Sequence, residues 1–431
     1  MSSKSPVTLR ETCRVCGSRK LIPILSLGEQ YAVGFLDSAE ETAGTGPLAL
    51  VLCNIKDGGC GLLQLQHTFD HDLLYRKYWY KSGISTTMVK ALGDIVKAAE
   101  EIASPAAGDL VVDIGANDGT LLRQYQPSGI HKVGFEPSNL WELARQDNAT
   151  IIHDYFNAAA FRKSFPNRKA KVITSISMFY DLEDPNSFVT DIAACLDDHG
   201  LWIIQMNYLG LMLDEHTYDN ISHEHLEYYS LLSLENLLRR HGFEIFDLEL
   251  NDVNGGSFRL YIRKAGIKTN LKLRPGAAQR VKDLRDQELR RGYDDRYVYA
   301  NYAKKIAELK KQIMDILHRE KNRGEKIYIY GASTRGLVVL QYCDIDRKII
   351  SAAVDKNSDK WSKYIVGTGI QVISFDDYRQ NKPDCLLVLP YQFKQEIIAQ
   401  ERDFLMGGGK MIFALPTVEV ITKEVFKDQK K

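Results

Sequence analysis

The sequence predicts an α/β protein: two doubly wound parallel-sheet units behind a small cysteine-rich segment. Three observations carry this. Short apolar runs alternate with helical periodicity from about residue 86 to 265 and again from 326 onward, the pattern of strand–helix units that close a parallel sheet. Each unit contains an apolar run, a glycine turn and a helix start, "VVDIGANDGTLL" in the first and "IYIYGASTRGLVVL" in the second. Four of the seven cysteines fall within the first 60 residues. The expected domains are 1–85, 86–265 and 326–431, joined by a helical linker over 266–325, and 431 residues suit two to three domains.

Composition narrows the function classes. Basic and acidic residues balance at 56 each, so net charge points neither to nucleic acid nor to an anionic membrane. No apolar run approaches the roughly 20 residues needed to span a bilayer. The opening "MSSKSPVTLRETC" is polar and lacks the apolar core of a signal peptide. A cytoplasmic location is expected.

In the first segment, "CRVCGS" is a Cys-x2-Cys knuckle holding Cys13 and Cys16, and "LCNIKDGGCG" supplies Cys53 and Cys60. Four thiolates in two pairs can close a tetrahedral structural zinc site and staple a segment too small for its own core. Unliganded thiols are the alternative, and six residues between Cys53 and Cys60 are loose for a knuckle. An odd cysteine count in a cytosolic chain argues against a disulfide framework.

The central unit starts with "TTMVKALGDIVKAAEEIA", which has helical periodicity. A buried strand then delivers Asp113, and Gly115, Asn117 and Gly119 form the turn. Glycines there let a ligand approach the backbone. "KVGFEPS" is the next strand and ends in Glu136, where a carboxylate can hold both hydroxyls of a ribose. "KVITSISMFYDL" and "GLWIIQMNYL" are two further strands, and "FEIFDLELNDVNGGSFRLYIRK" is a closing antiparallel pair. The turn reads D-x-G-x-N-x-G rather than the dinucleotide fingerprint G-x-G-x-x-G. An acid beside the turn repels a pyrophosphate and suits an ammonium or sulfonium ligand.

Between the last strands lies "NISHEHLEYYS", with His223, Glu224 and His225 in a row. A metal site, a catalytic base and a polar loop are the three readings. H-x-H lacks a third ligand nearby, and the zincin pattern H-E-x-x-H is absent. Tyr228 and Tyr229 read as core or wall residues. The charged stretch from about 266 to 325 reads as a solvated connecting helix pair. In the last unit, Gly331 and Gly336 surround Ser333, Thr334 and Arg335, where helix-start N–H groups, a hydroxyl and a guanidinium suit a diphosphate. Asp355 ends the following strand, placed either for a ribose or as a helix cap.

The D-x-G-x-N-x-G turn with its following acid resembles the first motif of class I S-adenosylmethionine methyltransferases. "CRVCGS", "VVDIGANDGTLL", "SHEHLEYYS", "NGGSFR" and "YGASTRG", in this order, resemble the C-methyltransferases of nucleotide-linked 4-keto-6-deoxysugars across nearly the whole chain. The resemblance implies an N-terminal zinc-binding domain, a central S-adenosylmethionine domain with a class I Rossmann-like fold, and a C-terminal Rossmann-like domain that helps hold the nucleotide sugar. It implies that the histidine of a Glu-His pair, here Glu224 and His225, removes the proton on C3, and that a tyrosine near the end of the first domain lines the sugar site. "YRKYWYKSG" offers Tyr78 and Tyr80, of which Tyr80 sits better before Lys-Ser. The implied cofactors are S-adenosylmethionine and structural zinc, and the implied partner is a nucleoside-diphosphate deoxysugar on a thymidine or guanosine carrier.

The chain also departs from that family. Ser222 precedes His223 where members often carry tyrosine, and "SISMFYDLEDP", with Ser177 and Asp181, replaces an Asn-rich segment that contains a histidine. The rival functions are an O- or N-methyltransferase on a similar substrate, a nicotinamide oxidoreductase, and a zinc-stapled scaffold that only binds nucleotides.

Overall fold

The computed structural model describes residues 7–32, 34–39, 41, 43–70, 74, 80–145 and 149–428. The central unit is a seven-stranded sheet. Its strands are β1 (Leu110–Ile114), β2 (His131–Phe135), β3 (Thr150–Ile152), β4 (Ala170–Ile176), β5 (Leu196–Asn207), β6 (Phe243–Asn251) and β7 (Ser257–Lys264). The spatial order is 3-2-1-4-5-7-6. β1 to β5 pair parallel, and β7 inserts antiparallel between β5 and β6. All five residues of β1 are buried, as a strand covered on both faces requires. The order reverses between β1 and β4, so the ligand crevice opens beyond their carboxyl ends. The antiparallel closing pair was legible in the sequence. β3 was not, because three residues leave no alternation to read.

The N-terminal segment folds as an antiparallel sheet of Ile22–Tyr31, Thr45–Leu52 and Leu63–Leu65, to which the central unit adds Glu227–Tyr228 at the edge. The strand following the His-Glu-His run is therefore hydrogen-bonded into the cysteine-bearing segment. The C-terminal unit is a mixed sheet with Ile327–Tyr330 parallel to both Ala352–Val354 and Cys385–Val388. Phe35–Leu36 of the N-terminal segment closes its far edge through Tyr364–Ile365.

The helices Ala277–Arg290 and Arg296–Asn322 differ from the solvated pair expected. Val281 and Leu284 on the first, and Tyr299, Tyr302, Ile306, Ile313 and Leu317 on the second, are buried. Their charges occupy the other face, and the buried stripe recurs at helical spacing. Glu288 is fully buried with them: Leu231 N donates to Oε1 at 2.6 Å, Leu232 N to Oε2 at 2.9 Å and the Tyr208 hydroxyl to Oε1 at 2.8 Å. It thus serves the orphan N–H groups at the start of helix Leu231–Arg240. Among the described residues, no helix is long and apolar enough to cross a membrane.

Candidate active site

The four N-terminal cysteines converge. Their Sγ atoms all lie within 4.8 Å of one another, with Cys13 and Cys60 at 3.4 Å and Cys16 and Cys53 at 3.4 Å. A tetrahedral zinc with arms of about 2.3 Å has edges of roughly 3.8 Å, so the donor set fits the ion. Gly59 makes the wide Cys53–Cys60 spacing workable. Its Cβ position lies 2.7 Å from the Asn54 and Cys53 carbonyl oxygens, so only glycine lets the loop double back. Among the described residues this is the one group of three or more His, Cys, Asp or Glu side chains able to share a metal. The site has no open position for a substrate.

Two acids flank the turn after β1, and Glu136 holds it. Glu136, at the end of β2, accepts from Asn117 N through Oε2 at 2.7 Å and from Ser138 N through Oε1 at 2.9 Å. Asp113 is 4% exposed and accepts from Thr174 Oγ1 at 2.6 Å, its register partner on β4. Burial pushes its carboxyl up to about 7, and the nearby Glu136 adds to the rise. Gly119 has φ +79, and its Cβ would meet Ala144 Cα at 3.0 Å, so both conformation and space demand glycine. Asn117 Oδ1 accepts from Ser82 N, and its Nδ2 donates to the Tyr80 carbonyl at 3.0 Å, which ties residues 80–83 across the turn. Gly115 sits below Met178. Tyr78 lies outside the described residues. Tyr80 is 46% exposed, and its carbonyl accepts from Asn117 Nδ2.

The structure separates the two histidines. His223 is buried against Phe69, with Nε2 3.0 Å from the Gln30 carbonyl oxygen. It points into the N-terminal segment and works as a domain-joining side chain. His225 turns the other way. Its Nδ1 lies 2.7 Å from the Asn220 carbonyl oxygen, and its ring meets the edge of Tyr180 at 4.6 Å. A carbonyl only accepts, so Nδ1 carries the proton and Nε2 keeps its lone pair. His225 as a residue is half-buried. Burial nevertheless pushes its pKa down to about 4, with the positive charge of Arg335 adding to the fall. Glu224 is pushed up to about 7 by burial. A pocket lined by Tyr180, Asn207, Asn220, Tyr228, Gly256 and Arg335 opens at the carboxyl end of β5.

The C-terminal turn is arranged differently from the diphosphate cradle expected. Ser333 Oγ caps its own helix, Thr334–Tyr342, by accepting from Gly336 N at 3.1 Å. Asp355 accepts from Ala332 N at 2.9 Å and from Asn357 N at 2.8 Å. Gly331 has φ +82, and its Cβ position lies 2.8 Å from Pro390, so chain packing already demands glycine there. Arg335 leaves the turn altogether. Its Nε lies 2.9 Å from Asp219 Oδ2, and its Nη1 donates to the Asn254 carbonyl, both in the central unit.

With this geometry established, comparison with known proteins decides the class. A family model described as a methyltransferase domain matches residues 87–248, a zinc-binding-domain model matches 13–75, and a model described as the C-methyltransferase C-terminal domain matches 252–416. The C-methyltransferase NovU of Streptomyces niveus is 28% identical over 419 residues, covering 96% of this chain and 97% of that protein. The chain is an S-adenosylmethionine-dependent methyltransferase. Solved structures also align with part of it. The mitomycin 7-O-methyltransferase MmcR aligns at 16% identity and TM-score 0.33, over 42% of this chain and 55% of that one. The magnesium protoporphyrin IX methyltransferase of Synechocystis PCC 6803 aligns at 14% identity and TM-score 0.31, over 42% of this chain and 79% of that one.

The methyltransferase uses S-adenosylmethionine and a structural zinc ion. Its sheet order and the paired turn acids at the crevice suit the former, and the four converging thiols suit the latter. Sequence reasoning missed several residues of the methyltransferase pocket. Asn220 acts through its carbonyl, which no side-chain motif advertises. Tyr180 lies within the divergent stretch "SISMFYDLEDP" but was not singled out, and Asp219 and Tyr391, which meet each other beside Arg335, carry no mark in their local sequence.

Proposed function

We propose that this methyltransferase methylates carbon, at C3 of a nucleotide-linked 4-keto-6-deoxysugar, with His225 as the base. The observation that carries the reading is the fixed tautomer of His225, with Nδ1–H on the Asn220 carbonyl and Nε2 left as acceptor. The 4-ketone acidifies the C3 hydrogen. His225 Nε2 takes that proton while the C3–H electron pair moves into the C3–C4 bond, and the carbonyl π pair goes to oxygen as an enolate. S-adenosylmethionine supplies an electrophilic sulfonium methyl for the resulting carbon nucleophile. Glu224 polarises the site, and Tyr80 lines the sugar end. Glu136 accepts from the cofactor ribose, Asp113 faces the amino-acid end, and Gly115, Asn117 and Gly119 shape the turn beneath it. Cys13, Cys16, Cys53 and Cys60 hold the zinc. Gly331, Ser333 and the C-terminal turn border the nucleotide.

NovU supports carbon methylation through its name and its near-complete coverage. An O-methyl acceptor would need far less from His225, because a hydroxyl is deprotonated more readily than a C–H. Deuterium exchange separates the two. With the ketosugar and S-adenosylhomocysteine in D2O, the enzyme should wash deuterium into C3, and the His225→Asn enzyme should not. Absence of exchange with the wild-type enzyme would remove the carbon-methylation reading.

A further inference from the structure

Asp219 is a central-domain carboxylate, 2% exposed, whose described side-chain partners all come from the C-terminal domain. Arg335 Nε lies 2.9 Å from Oδ2, Gln392 Nε2 3.4 Å from Oδ2, and the Tyr391 hydroxyl 3.4 Å from Oδ1. A buried carboxylate is costly without a cation, and removing that cation leaves an uncompensated charge. The next residue, Asn220, places its carbonyl on His225 Nδ1 at 2.7 Å and within 3.5 Å of the Tyr228 hydroxyl. Arg335 Nη1 meanwhile donates to the Asn254 carbonyl, the same oxygen that accepts from Asn207 Nδ2 at 3.0 Å. Asn254 Nδ2 in turn donates to Ser177 Oγ at 3.3 Å, beyond the end of β4. One guanidinium therefore ties two loops at the carboxyl ends of the sheet strands, and both loops border the pocket. Its Nη2 lies 3.4 Å from the Tyr391 hydroxyl, so the guanidinium is engaged by protein groups on both terminal nitrogens and paired in charge with Asp219.

We propose that Arg335 is a positioning residue: it reaches across from the C-terminal domain, holds Asp219, and through the adjacent Asn220 carbonyl sets the orientation of His225. The inference rests on the reading of His225 as the base. It gives the C-terminal domain a part in the chemical step besides holding substrate. A planar fork can satisfy two separate acceptors at once, whereas a lysine ammonium in its place would be a single point charge on a flexible stem.

The test compares the full-length wild type, Arg335→Lys, Arg335→Ala, Asp219→Asn and His225→Asn. Misplacing a reacting group by about 1 Å can cost on the order of a hundredfold. Arg335→Lys and Asp219→Asn should each lower kcat by about that factor and slow C3 deuterium exchange in parallel. The KM for the ketosugar nucleotide should move less than about threefold, and S-adenosylhomocysteine affinity by calorimetry should stay unchanged. Added guanidine should restore part of the activity of Arg335→Ala, and added ethylammonium should not. A large KM increase with unchanged kcat and exchange would make Arg335 a substrate ligand and overturn the proposal. So would full activity of Arg335→Lys. Failure of the underlying reading looks different: the wild type does not exchange, or His225→Asn still does.

Discussion

His225 Nδ1 lies 2.7 Å from the Asn220 carbonyl oxygen, so the proton sits on Nδ1 and Nε2 is the unprotonated nitrogen. Loss of a general base costs about 10² to 10⁴ in rate. His225→Asn should lower turnover by that order and leave cofactor affinity unchanged, whereas His223→Asn should act chiefly on stability. The pH dependence follows from burial, which pushes His225 down to about 4. Protonation stops the base, so its acidic limb in kcat/KM should fall near pH 4 and not near the ordinary histidine value of about 6.5. Between those two values the unfolded chain binds more protons than the folded one. This group's contribution to stability is therefore lost as pH falls through that window. A pH–rate profile that breaks near 6.5 would exclude a depressed His225 as the base.

Asp113 provides a proton-linked signature of cofactor binding. Its carboxyl is pushed up to about 7 by burial, so it is about half protonated at neutral pH. An ammonium arriving beside it favours the ionised form. Binding should therefore release about half a proton at pH 7 and tighten as pH rises through 7. Calorimetry in buffers of different ionisation enthalpy reads the released proton directly. A buffer-independent heat would detach Asp113 from the ligand.

Glu136 anchors the turn through two backbone N–H groups and retains further lone pairs for a ribose. Removing a charged acceptor costs about 1.5–3 kcal/mol, about ten- to a hundredfold in affinity. Glu136→Ala should weaken S-adenosylmethionine by that range in titration calorimetry. Wild-type affinity would take Glu136 out of the site.

Metal analysis of protein purified without added zinc should return close to one equivalent per chain. Cys53→Ser should remove it. Cys13 and Cys60 are pushed up by neighbouring thiols and burial, so metal binding must displace protons and should weaken as pH falls. Chelation should lower the melting temperature, because Glu227–Tyr228 pairs with the zinc-bearing segment. Metal-free protein with unchanged melting would refute a structural ion.

Glu288 is fully buried and serves three donors. Glu288→Ala leaves them unpaired at about 1–3 kcal/mol for each donor. Denaturant unfolding should show a loss of several kcal/mol, with Glu288→Gln losing less. A change below about 0.5 kcal/mol, the ordinary range of surface substitutions, would contradict the capping role.

Local patterns were strong enough to be read directly from the chain. The two cysteine pairs, the alternation of strands and helices, the D-x-G-x-N-x-G turn and the acid ending the next strand are short-range features set by backbone geometry and thiol chemistry. From these the class of fold and the cofactor were legible. Which way a side chain points across 200 or 300 residues was not. His223 and His225 are two positions apart, yet one meets Gln30 and the other Asn220. Arg335 belongs to a glycine turn by sequence and to a central-domain carboxylate in space. The charged helix pair hides Glu288, Tyr299 and Tyr302 because a one-sided burial stripe is faint among so many polar residues. Sequence by itself determined the elements and the chemistry they carry. Only tertiary packing decided the surroundings of each histidine, because the fold brings the Gln30 carbonyl against His223 and the charge of Arg335 near His225.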